Sequence, residues 1–385
     1  MTTRFPTLGI LGGGQLGRMT ALAAIPLGVR VRFWVEEGDD AGPAAPFGDV
    51  VVGRSDDPDA LRRFADGLTA VTADSEWAPA DALAAALDGV PDAPAIWPSP
   101  DTLYQIRHKG RQRDRLTAAG LPQPPLARCA TRAEMRAAAE RFGLPVVAKR
   151  YEGSYDGYGN ATCRTSADLD AAWDKLAADD GLLVEAFVDF RRELSVLVAR
   201  RPGGGHVVYP VAHTEQRDHR CHAVVVPAPD LSPEVEAEAR RVALGAAEAM
   251  DAVGLLAVEL FETADGEVLV NELAPRPHNT GHYSIEGSVT SQFANHARAV
   301  LDLPLGDPSL RAPWAVMINV LGQSERPTAA DGLQRALAVP GAGIHLYGKG
   351  EERPRRKMGH VTALGATADD ARARAERAAR LLLPA

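Results

Sequence analysis

The chain has 385 residues, a formal net charge of -9 and 24% charged residues. That length exceeds one typical compact domain and predicts two or three, and the acidic balance argues against nucleic acid as a main partner while leaving room for a local basic pocket. No window approaches 18 apolar residues, and Cys129, Cys163 and Cys221 form no CxxC spacing, so no membrane span, disulfide framework or cysteine zinc site is expected. The start, MTTRFPTLGI, lacks the charged-then-apolar pattern of a signal peptide, and a reducing cytoplasm is the expected compartment.

In chain order, TLGIL (7–11) reads as a short buried strand, followed by a glycine-rich turn, a helix from Leu16 to about Ile25 stopped by Pro26 and Gly28, and a strand at 29–36. Strand, turn, helix, strand predicts a βαβ unit and a parallel sheet. VVVG (50–53), a helix after Pro58 and AVT (70–72) continue this block, which ends near WPSP at 97–100. Residues 101–142 read as helical, interrupted by GLPQPP (120–125). LPVVAK (144–149), LLVEAFV (182–188) and ELSVLVAR (193–200) read as strands. A long helix is expected at 231–250, with Ser232 as N-cap and Glu234 and Glu236 in its first turn. LLAVELF (255–261) and EVLVNEL (267–273) read as strands joined by a turn at Asp265-Gly266. Mixed strand signals fill the tail from 311, and a last helix is expected at 368–382, with Thr367 and Asp370 resembling a capping box.

Five segments carry chemistry. Gly12, Gly14 and Gly17 match GxGxxG between a strand and a helix, with Glu36 or Glu37 ending the next strand. Such a turn admits a phosphate at a helix N-terminus, as in dinucleotide folds, but equally serves only to pack helix on strand. Lys149 ends an apolar strand beside a loop with Gly153, Gly157 and Gly159, which suits a phosphate and also suits a surface hairpin. Glu259 and Glu272, with Asn271, lie inside apolar strands. Carboxylates there are costly unless paired or metal-bound, and in a hairpin they converge on one face, where magnesium is the fitting ion. APRPHNTGHYS (274–284) offers Arg276, His278, Asn279 and His282 to an anionic ligand. HLYGKGEERPRRKMGH (345–360) crowds Lys349, Arg353, Arg355, Arg356 and Lys357 into an acidic chain, as either a solvated face or a phosphate clamp.

Together, GQLGRM (14–19), YDG (155–157), NELAPRPHN (271–279), SQF (291–293) and RKMGH (356–360) resemble the 5-(carboxyamino)imidazole ribonucleotide synthase family, ATP-grasp enzymes of purine synthesis. The resemblance runs in order from about residue 8 to 362. It implies an α/β architecture: an ATP-grasp fold with an N-terminal Rossmann-like (pre-ATP-grasp) domain (1–100), an ATP-grasp domain (101–310, lid about 101–182, core about 183–310) and a small C-terminal domain (311–385). It further implies carboxylation of aminoimidazole ribonucleotide with ATP and bicarbonate through carboxyphosphate, with magnesium or manganese, in a homodimer. ATP would meet Lys109, Lys149, Ser154, Tyr155, Asp156, Gly157, Gly159, Glu185, Ala186, Phe187, Val188, Glu193, His213, Asn271 and Glu272. Glu259 and Glu272 would hold the metal. The ribonucleotide would meet Gly14, Gln15, Leu16, Glu76, Tyr155, Asp156, Arg276, His278, Asn279, Lys349 and Arg356, and Tyr155, Asp156, Arg276 and Lys357 would act in catalysis.

The chain departs from the family pattern at five places. Lys109 stands for an arginine, Tyr158 for a basic lid residue, Arg355 for a glycine, Asp74 for a glutamate and His219 for a glycine. Competing readings are an NAD-dependent oxidoreductase resting on residues 12–17 and Glu36, an ATP-grasp ligase with another acceptor, and a degenerate module that binds nucleotide without turnover.

Overall fold

The computed structural model describes residues 5–39, 42–153, 159–218, 220–327 and 332–382. The expected βαβ pattern opens a five-stranded sheet of β1 (Thr7–Leu11), β2 (Arg30–Glu36), β3 (Asp49–Gly53), β4 (Ala70–Ala73) and β5 (Ala95–Ile96). Its order is β3-β2-β1-β4-β5 and every pairing is parallel. β1 and β4 are buried along their whole length, as central parallel strands covered on both faces must be. Asp57 caps the helix Pro58–Ala65 by accepting from the Asp59 and Ala60 amides, and Pro58 occupies its first position, where no N–H is needed.

A four-stranded antiparallel sheet follows, with β6 (Leu126–Cys129), β7 (Val146–Lys149), β8 (Asn160–Cys163) and β9 (Leu182–Ala186) in the order β6-β9-β7-β8. Helices Arg132–Phe142 and Ser166–Leu176 bury Met135, Ala138, Leu169 and Ala172 against it. β6 corrects the expectation of an essentially helical 101–142. After helices Pro100–Arg107 and Lys109–Ala118, Leu126–Cys129 finds a partner in β9, a long-range pairing that no local pattern reveals.

The third and largest sheet has nine strands: β10 (Phe190–Arg200), β11 (His206–Val208), β12 (Ala212–Arg217), β13 (Arg220–Val226), β14 (Gly254–Thr263), β15 (Val268–Ala274), β16 (Trp314–Leu321), and, beyond the two-residue β17 (Arg326–Pro327), β18 (Ala342–Leu346) and, after β19 (Glu351–Glu352), β20 (Lys357–Gly365). The main path runs β15-β14-β10-β12-β13-β16-β20-β18, so the C-terminal strands extend the same sheet as the glutamate hairpin. The helix Pro233–Ala249, capped by Ser232 as its sequence signals, packs Ala239, Val242 and Ala246 against Leu194, Val196 and Val258. The last helix, Ala368–Leu382, covers β16 and β20, and the Asp370 amide donates to Thr367 Oγ1 at 3.2 Å.

His296 fastens the first sheet to the third. The Leu255 amide donates to its Nδ1 at 3.0 Å, so the neutral ring carries its proton on Nε2 and donates to Thr72 Oγ1 at 2.9 Å. The three cysteines are buried free thiols. Among the described residues, no helix is long and apolar enough to cross a membrane.

Candidate active site

Glu259 on β14 sits directly across from Glu272 on β15. A β-bulge between Glu259 and Leu260 leaves Asn271 as the extra residue, which breaks the strict alternation of VLVNEL; Glu272 lines the cleft, and Asn271 Oδ1 lies 3.5 Å from Lys149 Nζ. The bulge frees backbone carbonyls, and Arg113 takes them: its guanidinium donates to Val270 O and Asn271 O, both at 2.8 Å, and to Glu185 Oε1 at 2.8 Å. Arg113 is 2% exposed. Its role was not visible in KGRQRDRL, a charge-rich helical stretch that reads as solvated.

Glu185 also receives Lys149 Nζ at 2.6 Å, and Lys149 approaches Asn271 Oδ1 at 3.5 Å. Lys109, the residue standing for an arginine, donates to Glu272 Oε1 at 2.8 Å. Of the expected nucleotide residues, Lys149, Glu185 and Asn271 thus form one network with Arg113, and Lys109 and Glu272 form an ion pair beside it. Burial opposes the charge of Glu185, yet Arg113 and Lys149 hold it down at about 2. Burial likewise opposes the charge of Glu272, and Lys109 overcomes it, so Glu272 stays below the usual carboxylate range. For Glu259, Lys357 and Lys109 act in the same direction but too weakly to do this. Burial and the charge of Glu272 push it up to about 8. The hairpin therefore carries one carboxylate held ionised beside one pushed towards its neutral form.

The cleft, about 320 Å³, continues from this pair to the glycine turn of the first sheet. Gly14, Gln15 and Leu16 line one wall, Arg276, His278 and Asn279 another, and Lys357 closes the third. Arg276 is held by Glu76, which accepts from its Nε at 2.9 Å and its Nη2 at 3.0 Å. Burial works against Glu76, but the Arg276 charge beside it keeps its carboxyl below the usual range. His278 is pushed down to about 3 by burial and by Arg276 and Lys357, so it is neutral.

Asp74 explains the glycine turn. Its Oδ2 accepts the Gly14 amide at 3.0 Å, and a Cβ on Gly12 would lie 1.9 Å from its Oδ1. Burial pushes its carboxyl up to about 6. The glycines thus approach an internal carboxylate. Glu36, the acid expected to serve a dinucleotide ribose, accepts instead from Trp34 Nε1 at 3.3 Å and from the Ser55 amide at 2.8 Å.

Not every expected residue comes to the cleft. His213 pairs with Leu194 on β10, whereas Glu193 pairs with Thr214; strand alternation therefore points His213 to the other side of the sheet from Glu193 and Glu259. Glu193 accepts Gln216 Nε2 at 2.8 Å. Ala186 ends β9, and Phe187 and Val188 follow it in the link into β10. Asn279 lines the cleft, but both its amide atoms are engaged by Asn319, at 2.9 and 2.7 Å. Lys349 Nζ donates to the Lys357 carbonyl at 2.8 Å and Arg356 Nη1 to the Glu351 carbonyl at 3.0 Å, so both flank Lys357 rather than line the cleft. Arg355 has φ +69°, the left-handed region expected where a glycine is replaced. Gly159 has φ +83°. Ser154, Tyr155, Asp156, Gly157, Tyr158 and His219 lie outside the described residues.

Residues 5–107 match the ribonucleotide synthetase preATP-grasp domain, 114–293 the ATP-grasp domain and 315–374 the phosphoribosylaminoimidazole carboxylase C-terminal domain. The N5-carboxyaminoimidazole ribonucleotide synthase of Mycobacterium tuberculosis is 46% identical over 382 residues, covering 98% of this chain and 88% of that protein. The crystal structure of N5-carboxyaminoimidazole ribonucleotide synthetase from Thermus thermophilus superposes with a TM-score of 0.86 at 38% identity, covering 98% of this chain and 99% of that one. The Aspergillus clavatus N5-carboxyaminoimidazole synthase, solved in complex with ADP and 5-aminoimidazole ribonucleotide, gives a TM-score of 0.87 at 31% identity, covering 98% of both chains. Three domain matches in order, near-complete coverage and a cleft in which a carboxylate pair faces a cationic wall lead to one assignment: the chain belongs to the N5-carboxyaminoimidazole ribonucleotide synthase family of ATP-dependent, ATP-grasp ligases.

Proposed function

We propose that this chain uses ATP and bicarbonate to carboxylate the exocyclic amine of 5-aminoimidazole ribonucleotide in de novo purine synthesis. The observation that carries the reading is the placement of Glu259 opposite Glu272, at the end of a cleft whose other walls supply Arg276, His278 and Lys357. Carboxylates suit the nucleotide end, and cations and neutral imidazoles suit a phosphorylated aminoimidazole.

The pair fits magnesium, and also manganese. Such an ion takes one or two protein carboxylates and completes its shell with water and phosphate oxygens; Glu259 and Glu272 are such a pair, and among the described residues no larger group of three His, Cys, Asp or Glu competes for it. When bound, the ion neutralises charge on the phosphoryl group being transferred.

The residues divide by substrate. Lys109 and Lys149 exchange contacts with Glu272 and Glu185 for the ATP phosphates. Ala186, Phe187 and Val188 border the base and Glu193 the ribose. A bicarbonate oxygen attacks the γ-phosphorus and ADP leaves, giving carboxyphosphate. The amine nitrogen then attacks the carboxyl carbon, phosphate leaves, and the amine proton passes to that phosphate or to solvent. Arg276, fixed by Glu76, and Lys357 meet the anionic carboxyphosphate. Gln15 serves the ribonucleotide from the glycine turn, and Lys349 and Arg356, which flank Lys357, reach its phosphate only by exchanging their present carbonyl partners. Positioning and charge neutralisation suffice, without a protein nucleophile. We further infer a cytoplasmic homodimer.

Incubation with isotope-labelled bicarbonate, ATP, magnesium and the ribonucleotide tests the proposal. Label should appear as a carbamate carbon on the exocyclic amine, detected by carbon NMR. ATP consumption without that carbamate would contradict it.

A further inference from the structure

His282 is a cleft-lining residue for which the reaction scheme above has no use. Its ring is fixed on several sides. Its centroid lies 4.9 Å from that of His360, 5.5 Å from Phe293 and 6.2 Å from Tyr347. Its tautomer is fixed as well, through Gln292. The His278 amide donates to Gln292 Oε1 at 2.9 Å, which settles the orientation of that amide group, because a backbone N–H cannot accept. Gln292 Nε2 is then the donor, to the His278 carbonyl at 2.8 Å and to His282 Nδ1 at 2.9 Å. Nδ1 of His282 is therefore an acceptor, and the proton of the neutral ring sits on Nε2. Gln292 is 0% exposed and is bonded at both ends, so it cannot reorient cheaply. Among the described residues, the hydrogen bond of the His282 ring is the one at Nδ1.

We infer that His282 Nε2–H is a hydrogen-bond donor to the aminoimidazole head group of the ribonucleotide, with Gln292 as the positioning residue that locks its tautomer. The inference rests on the ribonucleotide reading given above. A neutral donor suits this place. The cleft already holds Arg276 and Lys357 for charge, and an aminoimidazole, whose acceptor is its unsubstituted ring nitrogen, needs a directed N–H that does not compete for the substrate phosphate.

Steady-state kinetics on the full chain decide it. His282→Phe keeps a ring of similar size without the donor, and His282→Gln keeps an amide N–H of comparable reach. His282→Phe should raise the ribonucleotide KM about ten-fold, the scale of one buried hydrogen bond, and leave the ATP KM unchanged. His282→Gln should recover most of that loss. Nitrogen NMR of the unmodified protein should show an Nε2-protonated histidine whose signal disappears in both variants. Equal ribonucleotide KM values in all three proteins, or an Nδ1-protonated His282, would overturn the inference. Should His282→Phe fail to fold, His282→Gln and the NMR signal still decide. Failure of the ribonucleotide to stimulate turnover by the unmodified protein would instead sink the functional reading, and this assignment with it.

Discussion

Arg276 and Glu76 lie 200 residues apart and face each other through two parallel hydrogen bonds of 2.9 and 3.0 Å. The pair joins the glycine-turn domain to the loop after the glutamate hairpin. It thereby sets the distance between the two walls of the cleft. A planar guanidinium forked onto a carboxylate resists rotation as well as separation. The same contact that orients a reacting cation also fixes the domain geometry.

Glu76→Ala leaves Arg276 charged, largely buried and unpaired. The expected loss is about 3 kcal/mol, the usual cost of breaking such a pair from one side. The urea midpoint measures it, and a midpoint equal to that of the unmodified chain would show that the pair does not hold the domains.

Arg355 has φ +69°, and the other described non-glycine residues with positive φ are all aspartates, a type that tolerates this region better. Arg355→Gly should therefore stabilise the chain by about 1 kcal/mol. A rise in Tm by calorimetry is expected, with ATP affinity unchanged; a fall in Tm would mean that the guanidinium contributes more than the backbone loses.

His296 is held neutral in the fold, pushed by burial from 6.5 to about 3. The unfolded chain takes up the proton first. The contribution of His296 is therefore complete above about pH 6.5 and declines as pH falls towards 3, by at most about 1.4 kcal/mol per unit. His282 and His360, also lowered by burial, act with the same sign. Urea midpoints taken between pH 7 and 5 should fall, and His296→Gln should flatten part of that slope while lowering the midpoint at pH 7. An unchanged slope in the variant would exclude His296 as a source of acid lability.

Glu272→Gln keeps the shape of the hairpin but removes the carboxylate that stays ionised. ADP formation should be lost, while the fold by circular dichroism persists. Full ADP formation at ordinary magnesium concentration would remove Glu272 from the metal role.

Much of the site was legible because chemistry and periodicity disagreed there. Glu259 and Glu272 interrupt apolar strands, and the hairpin that the Asp265-Gly266 turn predicts is the element that pairs them. The glycine turn was legible as a turn but not in its purpose, since Asp74 reaches it from 60 residues away. β12 and β13 were not expected, because AHTEQR is a polar stretch whose strand character comes from its neighbours β10 and β13. Arg113, and Gln292 of the SQF segment in its contacts, stayed hidden for a related reason. Each is a polar residue in a helix, and only tertiary packing shows that its side chain is buried and fully bonded. Local pattern reveals where a residue type is out of place; it does not reveal which distant group answers it.

The central claim is most directly tested by the rate of ADP formation by the purified full chain with ATP, magnesium and bicarbonate, measured with and without 5-aminoimidazole ribonucleotide. Strong stimulation by the ribonucleotide is predicted, with little ADP formed in its absence. A rate that does not change on adding the ribonucleotide would contradict the account and assign the cleft to another acceptor.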